Sequence, residues 1–267
     1  MLDAAVCTWY DYIMQHDVAQ SKMRDKTMKI SKILCRHWYN IGIAVALCAF
    51  AAMTVCWNQM SILLRFNTIS FIAMLVHQFE EYGFPGGEPM IMNRVLQGSD
   101  IPNRYPLNQF SAMFTNVFFS YVIYLLPILF PNVIWLGIAP MLMGMMQFIV
   151  HGIMTNLRMK SIYNPGLGAV VFLHIPVGIC YFRFITDRQL ADGMTWAAGI
   201  VYTIIATGVV LGFLTYVAFS DRNSPWCFDE TELKRFDVEK KITKKNIDAG
   251  GRTQLGPLAI IEKLKGR

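Results

Sequence analysis

The sequence predicts an all-α membrane protein, a bundle of six transmembrane helices with both termini in the cytoplasm. The composition supports this fold class, because 54% of the 267 residues are hydrophobic and only 16% are charged, fewer than the roughly 25% typical of soluble domains. The second observation is a set of six apolar runs, each close to the ~20 residues that a helix needs to cross the hydrocarbon core. These runs cover residues 40–57, 60–79, 110–130, 133–155, 166–186 and 195–219.

The predicted organisation has three parts. Residues 1–39 form a cytoplasmic, helical N-terminal segment, which has no apolar core of the length found in a cleavable signal peptide. Residues 40–219 form the six-helix transmembrane domain, and residues 220–267 form a basic cytoplasmic tail whose polar composition predicts partial disorder. Within the transmembrane domain, the connection 82–109 is long for a link between helices, so we expect a lid or re-entrant element there.

The distribution of basic residues predicts the orientation. With the N-terminus in the cytoplasm, cytoplasmic segments hold 21 of the 24 lysines and arginines, and the exceptions are Arg65, Arg183 and Arg188. We therefore expect a multi-pass protein of the cell membrane with cytoplasmic N- and C-termini. The basic flanks, such as "KKITKK" at 240–245, are expected to contact anionic lipid headgroups of the bilayer rather than nucleic acid.

A small set of polar side chains lies within or at the ends of the predicted spans. Ionisable groups in a membrane are costly and usually face the interior of the bundle, which makes each a candidate functional residue. The predicted orientation places all of them in the cytoplasmic half of the bilayer, the deepest about 12 Å from the start of its helix at 1.5 Å per residue. The set comprises His77, Glu80, Glu81, Asn116, Gln147, His151 and His174.

The spacing of the ionisable residues suggests a metal site. At about 100° per residue, Glu80 and Glu81 flank His77 on one face of the second span. His77, Glu81, His151 and His174 are the predicted ligands of zinc or another divalent metal. Glu80 and Glu81 are the predicted catalytic carboxylates, one binding the metal and the other activating water.

Other interpretations of these residues stay open. An intramembrane histidine can simply bond a carbonyl, and the polar cluster can relay protons or fix helix packing without a metal. Asn116 and Gln147 are either helix-packing amides or groups that contact the metal ligands or the substrate. In "YNPGLG" at 163–168, Asn164 is the predicted cap of the fifth span with Pro165 near its first position, which would also bring a helix N-terminus, a place that favours anions, to the site. Like Asn116 and Gln147, Asn164 is also a candidate for contact with the metal ligands or the substrate.

These residues resemble a known family. "HQFEE" at 77–81, His151 and "YNPGL" at 163–167 are similar to the HXXEE-motif integral membrane proteins over about residues 60–215. The resemblance implies a membrane protein with a shared polar site and no established reaction. "EEYGFPG" also resembles the opening of the CAAX-processing and bacteriocin-processing protease signature, but Pro85 stands at its arginine position, so the likeness is an analogy of site layout.

The leading functional hypothesis is a membrane-embedded, metal-dependent hydrolase that acts in the cytoplasmic half of the bilayer on a lipid-like or membrane-delivered substrate. The first alternative is a transporter or proton-coupled carrier in which His77, Glu80 and Glu81 relay protons. Few polar residues reach the outer half of the spans, which disfavours a continuous path. The second alternative is a non-catalytic membrane scaffold.

Overall fold

The computed structural model describes the backbone of residues 2–244 and the side chains of residues 28–118, 121–209 and 212–243. Within this part the regular structure is helical and contains no strand, which confirms the all-α prediction. The chain divides into two compact units, Met1–His37 and Trp38–Arg267. The first unit consists of the N-terminal part of a long helix, and all features of the candidate site belong to the second.

Among the described residues, six helices are long and apolar enough to cross a membrane, as the sequence predicts for an integral multi-pass protein. The last five spans lie within four residues of their predicted bounds. The first differs, because its helix continues upstream through the charged N-terminal segment, where no Gly or Pro occurs before Gly42 to end it. The helices are α1 (Leu2–Cys56), α2 (Ile62–Tyr82), α3 (Gln109–Leu129), α4 (Ile134–Met159), α5 (Leu167–Asp187) and α6 (Gly193–Ala218).

Four of the spans contain wide π-helical turns. Such turns are rare, and they occur often at functional sites because they redirect side chains that a regular helix would place elsewhere. A hydrophobic period of 3.6 residues does not reveal them, so the sequence analysis did not predict them. They cover Thr115–Phe119 in α3, Ile149–Thr155 in α4, Val170–His174 in α5 and Ala206–Ala218 in α6.

Helix α2 contacts α3, α4 and α5 and carries the polar residues of the interior. Its apolar residues Phe71 and Leu75 pack in one core with Tyr124 of α3 and Met143 of α4. The next turns of α2 bury His77, Gln78 and Glu81 instead. The central position of α2 therefore brings the HQFEE segment inside the bundle.

The connection between α2 and α3 is folded and largely buried. It contains a short helix, Glu88–Met90, followed by a π-helical stretch, Ile91–Leu96. The Asn93 side chain closes the loop, because its Nδ2 donates to the carbonyls of Pro102 at 2.8 Å and Leu107 at 2.7 Å. The connection is thus a packed element at one end of the bundle.

The tail packs on this connection as far as it is described. Val238 and Ile242, in the helix Val238–Lys244, join a core with Ile91 and Val95. The preceding helix, Glu230–Leu233, buries Glu232. A few apolar residues thus anchor the first part of the tail. The partial disorder predicted for residues 220–267 stays a prediction, since residues 245–267 lie outside the described part of the chain.

Candidate metal site and cavity

The candidate site lies at the end of the bundle where α2 and α4 end and α5 begins. His77 and Glu81 are one turn apart near the end of α2. His151 and His174 project from the π-helical turns of α4 and α5. All four side chains are buried and line one cavity.

Three of these side chains converge on one point. Glu81 Oε1 lies 3.2 Å from His77 Nε2 and 3.2 Å from His151 Nε2. The three atoms all lie within 4.8 Å of one another. In a tetrahedral site with bonds of 2.0–2.1 Å, neighbouring ligand atoms are about 3.4 Å apart, so two of the three separations are close to the value that zinc requires.

Hydrogen bonds on the far side of each ring orient the two imidazoles. His77 Nδ1 lies 3.0 Å from the Gly166 carbonyl, and His151 Nδ1 lies 2.8 Å from Asn164 Oδ1. Each Nδ1–H therefore donates to an oxygen, which leaves the Nε2 lone pair of a neutral ring directed at Glu81. Three acceptor atoms then face one another, and they require a cation or additional protons between them. Ligand histidines in metal proteins are oriented in the same way.

Asn164 is a partner of His151 and does not cap α5. Its Nδ2 donates to the His151 carbonyl at 2.7 Å and to Asn156 Oδ1 at 2.8 Å, which fixes Oδ1 toward the His151 ring. The residue before α5 is Gly166, with a φ of 98° and no side-chain cap. The predicted cap is therefore wrong, because the amide of Asn164 is engaged by α4.

Gly166 is required by its surroundings as well as by its backbone angle. A Cβ at this position would lie 2.6 Å from Cε1 of His151. The bare glycine lets the loop pass against the His151 ring while its carbonyl accepts the His77 hydrogen bond. The NPG turn therefore holds both histidines.

Glu80 lies at the start of α5 and not with the histidines. Its carboxylate accepts hydrogen bonds from the amides of Gly168 at 3.0 Å and Ala169 at 2.7 Å, and from the Tyr163 hydroxyl at 2.8 Å. A carboxylate at a helix N-terminus is stabilised by the free amides and the helix dipole. Glu80 is thus the anion at this helix N-terminus, and among the described residues no contact joins it to Glu81.

His174 lies beside the three-atom group but is not part of it. Its ring is edge-on to that of His77, with centroids 5.5 Å apart. The ring packs against α4 at Gly144, where a Cβ would lie 2.2 Å from His174 Nδ1. The structure therefore offers three converging ligand atoms where the sequence predicted four.

A cavity of about 490 Å³ opens beside this group. Gln147 and Asn116, predicted as substrate-contacting or packing residues, both line it. Gln78, which the sequence analysis did not single out, also lines it and donates from Nε2 to the Asn116 carbonyl at 2.9 Å. Away from the histidines the wall becomes largely apolar, with Met74 and Met143 among its residues.

Glu88 is the acidic residue that the sequence analysis missed. It lies in the α2–α3 connection, lines the cavity and is 3% exposed, and its Oε2 has no hydrogen-bond partner in the described part of the chain. Burial, together with the nearby charge of Glu81, holds the pKa of the Glu88 carboxyl well above its usual range. The signal in the sequence is a glutamate inside the unusually long connection, in the sequence "GGEP".

Comparisons with known proteins agree with the sequence resemblance. A search of curated proteins and a search of solved structures give no significant match. The CAAX-processing protease analogy receives no support. The profile of a family described as "Protein of unknown function with HXXEE motif" matches residues 68–181. The match contains His77, Glu81, His151 and His174, and it confirms that this part of the chain is similar to the HXXEE-motif family.

Proposed function

We propose that the protein is a membrane-embedded, metal-dependent hydrolase that acts on a lipid-like or membrane-delivered substrate. The observation that carries this proposal is the convergence of two histidines on one carboxylate oxygen, because Glu81 Oε1 lies 3.2 Å from both His77 Nε2 and His151 Nε2. Two histidines and one glutamate are the ligands of several catalytic zinc enzymes, in which the fourth position stays open.

The residues present fit a divalent metal. Both imidazoles are buried with their Nδ1–H groups bonded to oxygens, so their Nε2 atoms are available as ligands. Zinc is the best match to this nitrogen and carboxylate set, and other first-row metals share the preference. A metal held there would polarise a substrate carbonyl or phosphoryl oxygen and favour the deprotonation of water.

The neighbouring residues supply the remaining roles. Glu88 takes the general acid–base role that the sequence analysis gave to Glu80, because its carboxyl lines the cavity while that of Glu80 is occupied by α5. In its ionised form it accepts a proton from water, and in its protonated form it donates one to the leaving group. Gln147 and Asn116 line the cavity and are placed to hydrogen-bond a polar group of the substrate.

The orientation of the site is also a proposal. The basic segments predict cytoplasmic termini, which puts the end of the bundle that carries the α2–α3 connection on the cytoplasmic side. The lysines of the tail then face anionic headgroups. Labelling of cysteines placed at Phe84 and Leu190, both exposed in the structure and at opposite ends of the bundle, tests this orientation in intact cells.

Metal content and hydrolysis test the proposed function together. Purified wild-type protein is expected to retain a divalent metal, and His77→Ala and His151→Ala are expected to lose it. His174→Ala is the matched control, since this buried histidine lies outside the ligand group and its replacement should leave the metal in place. Glu88→Gln is expected to keep the metal and lose hydrolysis of a p-nitrophenyl acyl ester. A wild-type protein that binds no added zinc would overturn the proposal, and proton flux in liposomes would then favour the carrier.

A further inference from the structure

The cavity beside the site is open on one side, and the opening lies on α6. Of the described residues that line the cavity, only Gly208 and Gly212 are exposed, and the others are buried or half-buried. In the described part of the chain, a Cβ added at Gly208 would meet no atom within 4 Å, and one at Gly212 would meet only the Thr207 carbonyl of its own helix, at 3.9 Å. The wall of the cavity is therefore interrupted at these two glycines.

Helix α4 contacts α6 before the glycines. A Cβ at Gly199 of α6 would lie 2.7 Å from Cβ of Ile138 in α4, so the two backbones approach closely there. Further along the same two helices, Ala206 and Met143 are buried in one core. The next cavity-lining residue of α4 is Gln147, which is only half-buried. The close packing of α4 on α6 thus ends just before the level of the opening.

Helix α3 contacts α6 on both sides of the glycines. Before them, Tyr124 of α3 and Ala206 of α6 belong to one core. After them, the hydroxyls of Thr115 and Thr215 share a hydrogen bond of 2.6 Å, and both side chains are buried. Since α3 is held to α6 at both levels and α4 at only one, the opening lies between α4 and α6.

The opening lies at the depth of the hydrocarbon core. Helix α6 has 26 residues, and about 20 suffice to cross the core, which leaves about three residues outside it at each end. Gly212 lies six residues before the end of the span, and Gly208 lies deeper. The outer surfaces of the two helices near this level are apolar and exposed, with Val209 and Phe213 on α6 and Ile149 on α4. Lipid chains therefore surround the opening.

We infer that the site is filled from the membrane, and that a bilayer lipid enters the cavity between α4 and α6 at Gly208 and Gly212. The two glycines leave the space for an alkyl chain that a larger side chain would occupy. This inference deepens the proposed function, because a lipid is then its substrate class, and it rests on the proposed function only for the reaction that follows entry.

Photo-crosslinking in vesicles tests this route. The full-length protein is reconstituted with a phosphatidylcholine that carries a diazirine in one acyl chain, and the labelled residues are located by mass spectrometry. We expect label on Met74 and Met143, which are buried and line the cavity. This label is expected to be lost in Gly208→Phe, while the exposed Phe213 stays labelled as an internal standard.

Gly193→Phe is the matched control, because a Cβ at Gly193 also meets nothing within 4 Å and this glycine of α6 does not line the cavity. It is expected to leave the label on both methionines unchanged. Gly212→Leu is the second blocking variant if Gly208→Phe does not fold.

Two results would overturn the inference. One is equal labelling of the methionines in wild type and in the folded blocking variant. The other is wild-type protein in which the lipid probe labels neither methionine, whether or not a water-soluble diazirine reaches them. The labelling requires neither metal nor hydrolysis, so the two proposals fail separately. Blockable lipid labelling in a protein that binds no zinc would contradict the hydrolase alone, and zinc-dependent hydrolysis with labelling that Gly208→Phe does not change would contradict the route alone.

Discussion

Replacement of Asn164 by alanine is the most informative single change around the site. Asn164 makes three hydrogen bonds, one from the His151 ring at 2.8 Å, one to the His151 carbonyl at 2.7 Å and one to Asn156 at 2.8 Å. Loss of the partner that orients a ligand histidine lowers metal affinity by about 10- to 100-fold. It also leaves the buried His151 Nδ1–H without an acceptor, which costs about 1–3 kcal/mol of the free energy of unfolding.

Competition for zinc with a fluorescent chelator measures the first effect, and thermal unfolding of the metal-free protein measures the second. Asn156→Ala is the matched control, because it removes one bond to Asn164 and leaves both bonds between Asn164 and His151. We expect the control to retain near wild-type zinc affinity. Equal zinc affinities of Asn164→Ala and wild type in folded protein would refute the role of Asn164 in orienting a ligand.

Three further changes separate the contributions of neighbouring residues. Glu80→Gln removes the negative charge at the N-terminus of α5 and is expected to lower the free energy of unfolding by about 1 kcal/mol. Zinc content is expected to stay unchanged, and a loss of zinc would contradict this. Gly144→Ala is expected to lower the free energy of unfolding by about 1–3 kcal/mol, since the added methyl displaces the His174 ring. Gly208→Ala is expected to leave the free energy of unfolding unchanged or to raise it by up to about 1 kcal/mol. Equal melting temperatures of the two variants would refute this contrast. Arg235→Met removes hydrogen bonds from the tail to Tyr82 and Tyr39, each worth about 1.5–3 kcal/mol. The rate of amide hydrogen exchange in the tail is expected to rise at least tenfold. An unchanged rate would show that the apolar core alone holds the tail.

Much of the fold follows directly from the sequence. Runs of about 20 apolar residues have few stable arrangements other than membrane-spanning helices. Both ends of the last five spans were therefore predicted to within four residues. The helical N-terminal segment was predicted as separate from the first span, whereas the two form one continuous helix, because charged residues do not end a helix. The order of the first part of the tail depends on Val238 and Ile242 packing against the α2–α3 connection, a long-range contact that composition does not reveal.

The sequence predicted which residues lie near one another in the candidate site, but the roles of His174, Glu80 and Glu88 emerge only from the structure. His77 and Glu81 share a helix face at a spacing of four, so their proximity follows from helix geometry. The approach of His151 required only that polar residues of a membrane bundle face one another. The His174 ring packs at Gly144 and so stays outside the three-atom group. The Glu80 carboxylate binds the first amides of α5, which depends on the exact position of that helix N-terminus. Glu88 was missed because it reaches the cavity from a connection, where hydropathy gives no signal.

X-ray absorption spectroscopy of zinc-loaded protein tests the central claim most directly. The spectrum of wild-type protein is expected to show two imidazole ligands and oxygen ligands at about 2.0–2.1 Å. His77→Ala and His151→Ala lose their metal on purification, and when either is reloaded with excess zinc, one imidazole is expected to be missing from its spectrum. His174→Ala is expected to leave the spectrum unchanged. A zinc environment with no imidazole, or one that is identical in wild type and His77→Ala, would contradict a metal site formed by His77, Glu81 and His151.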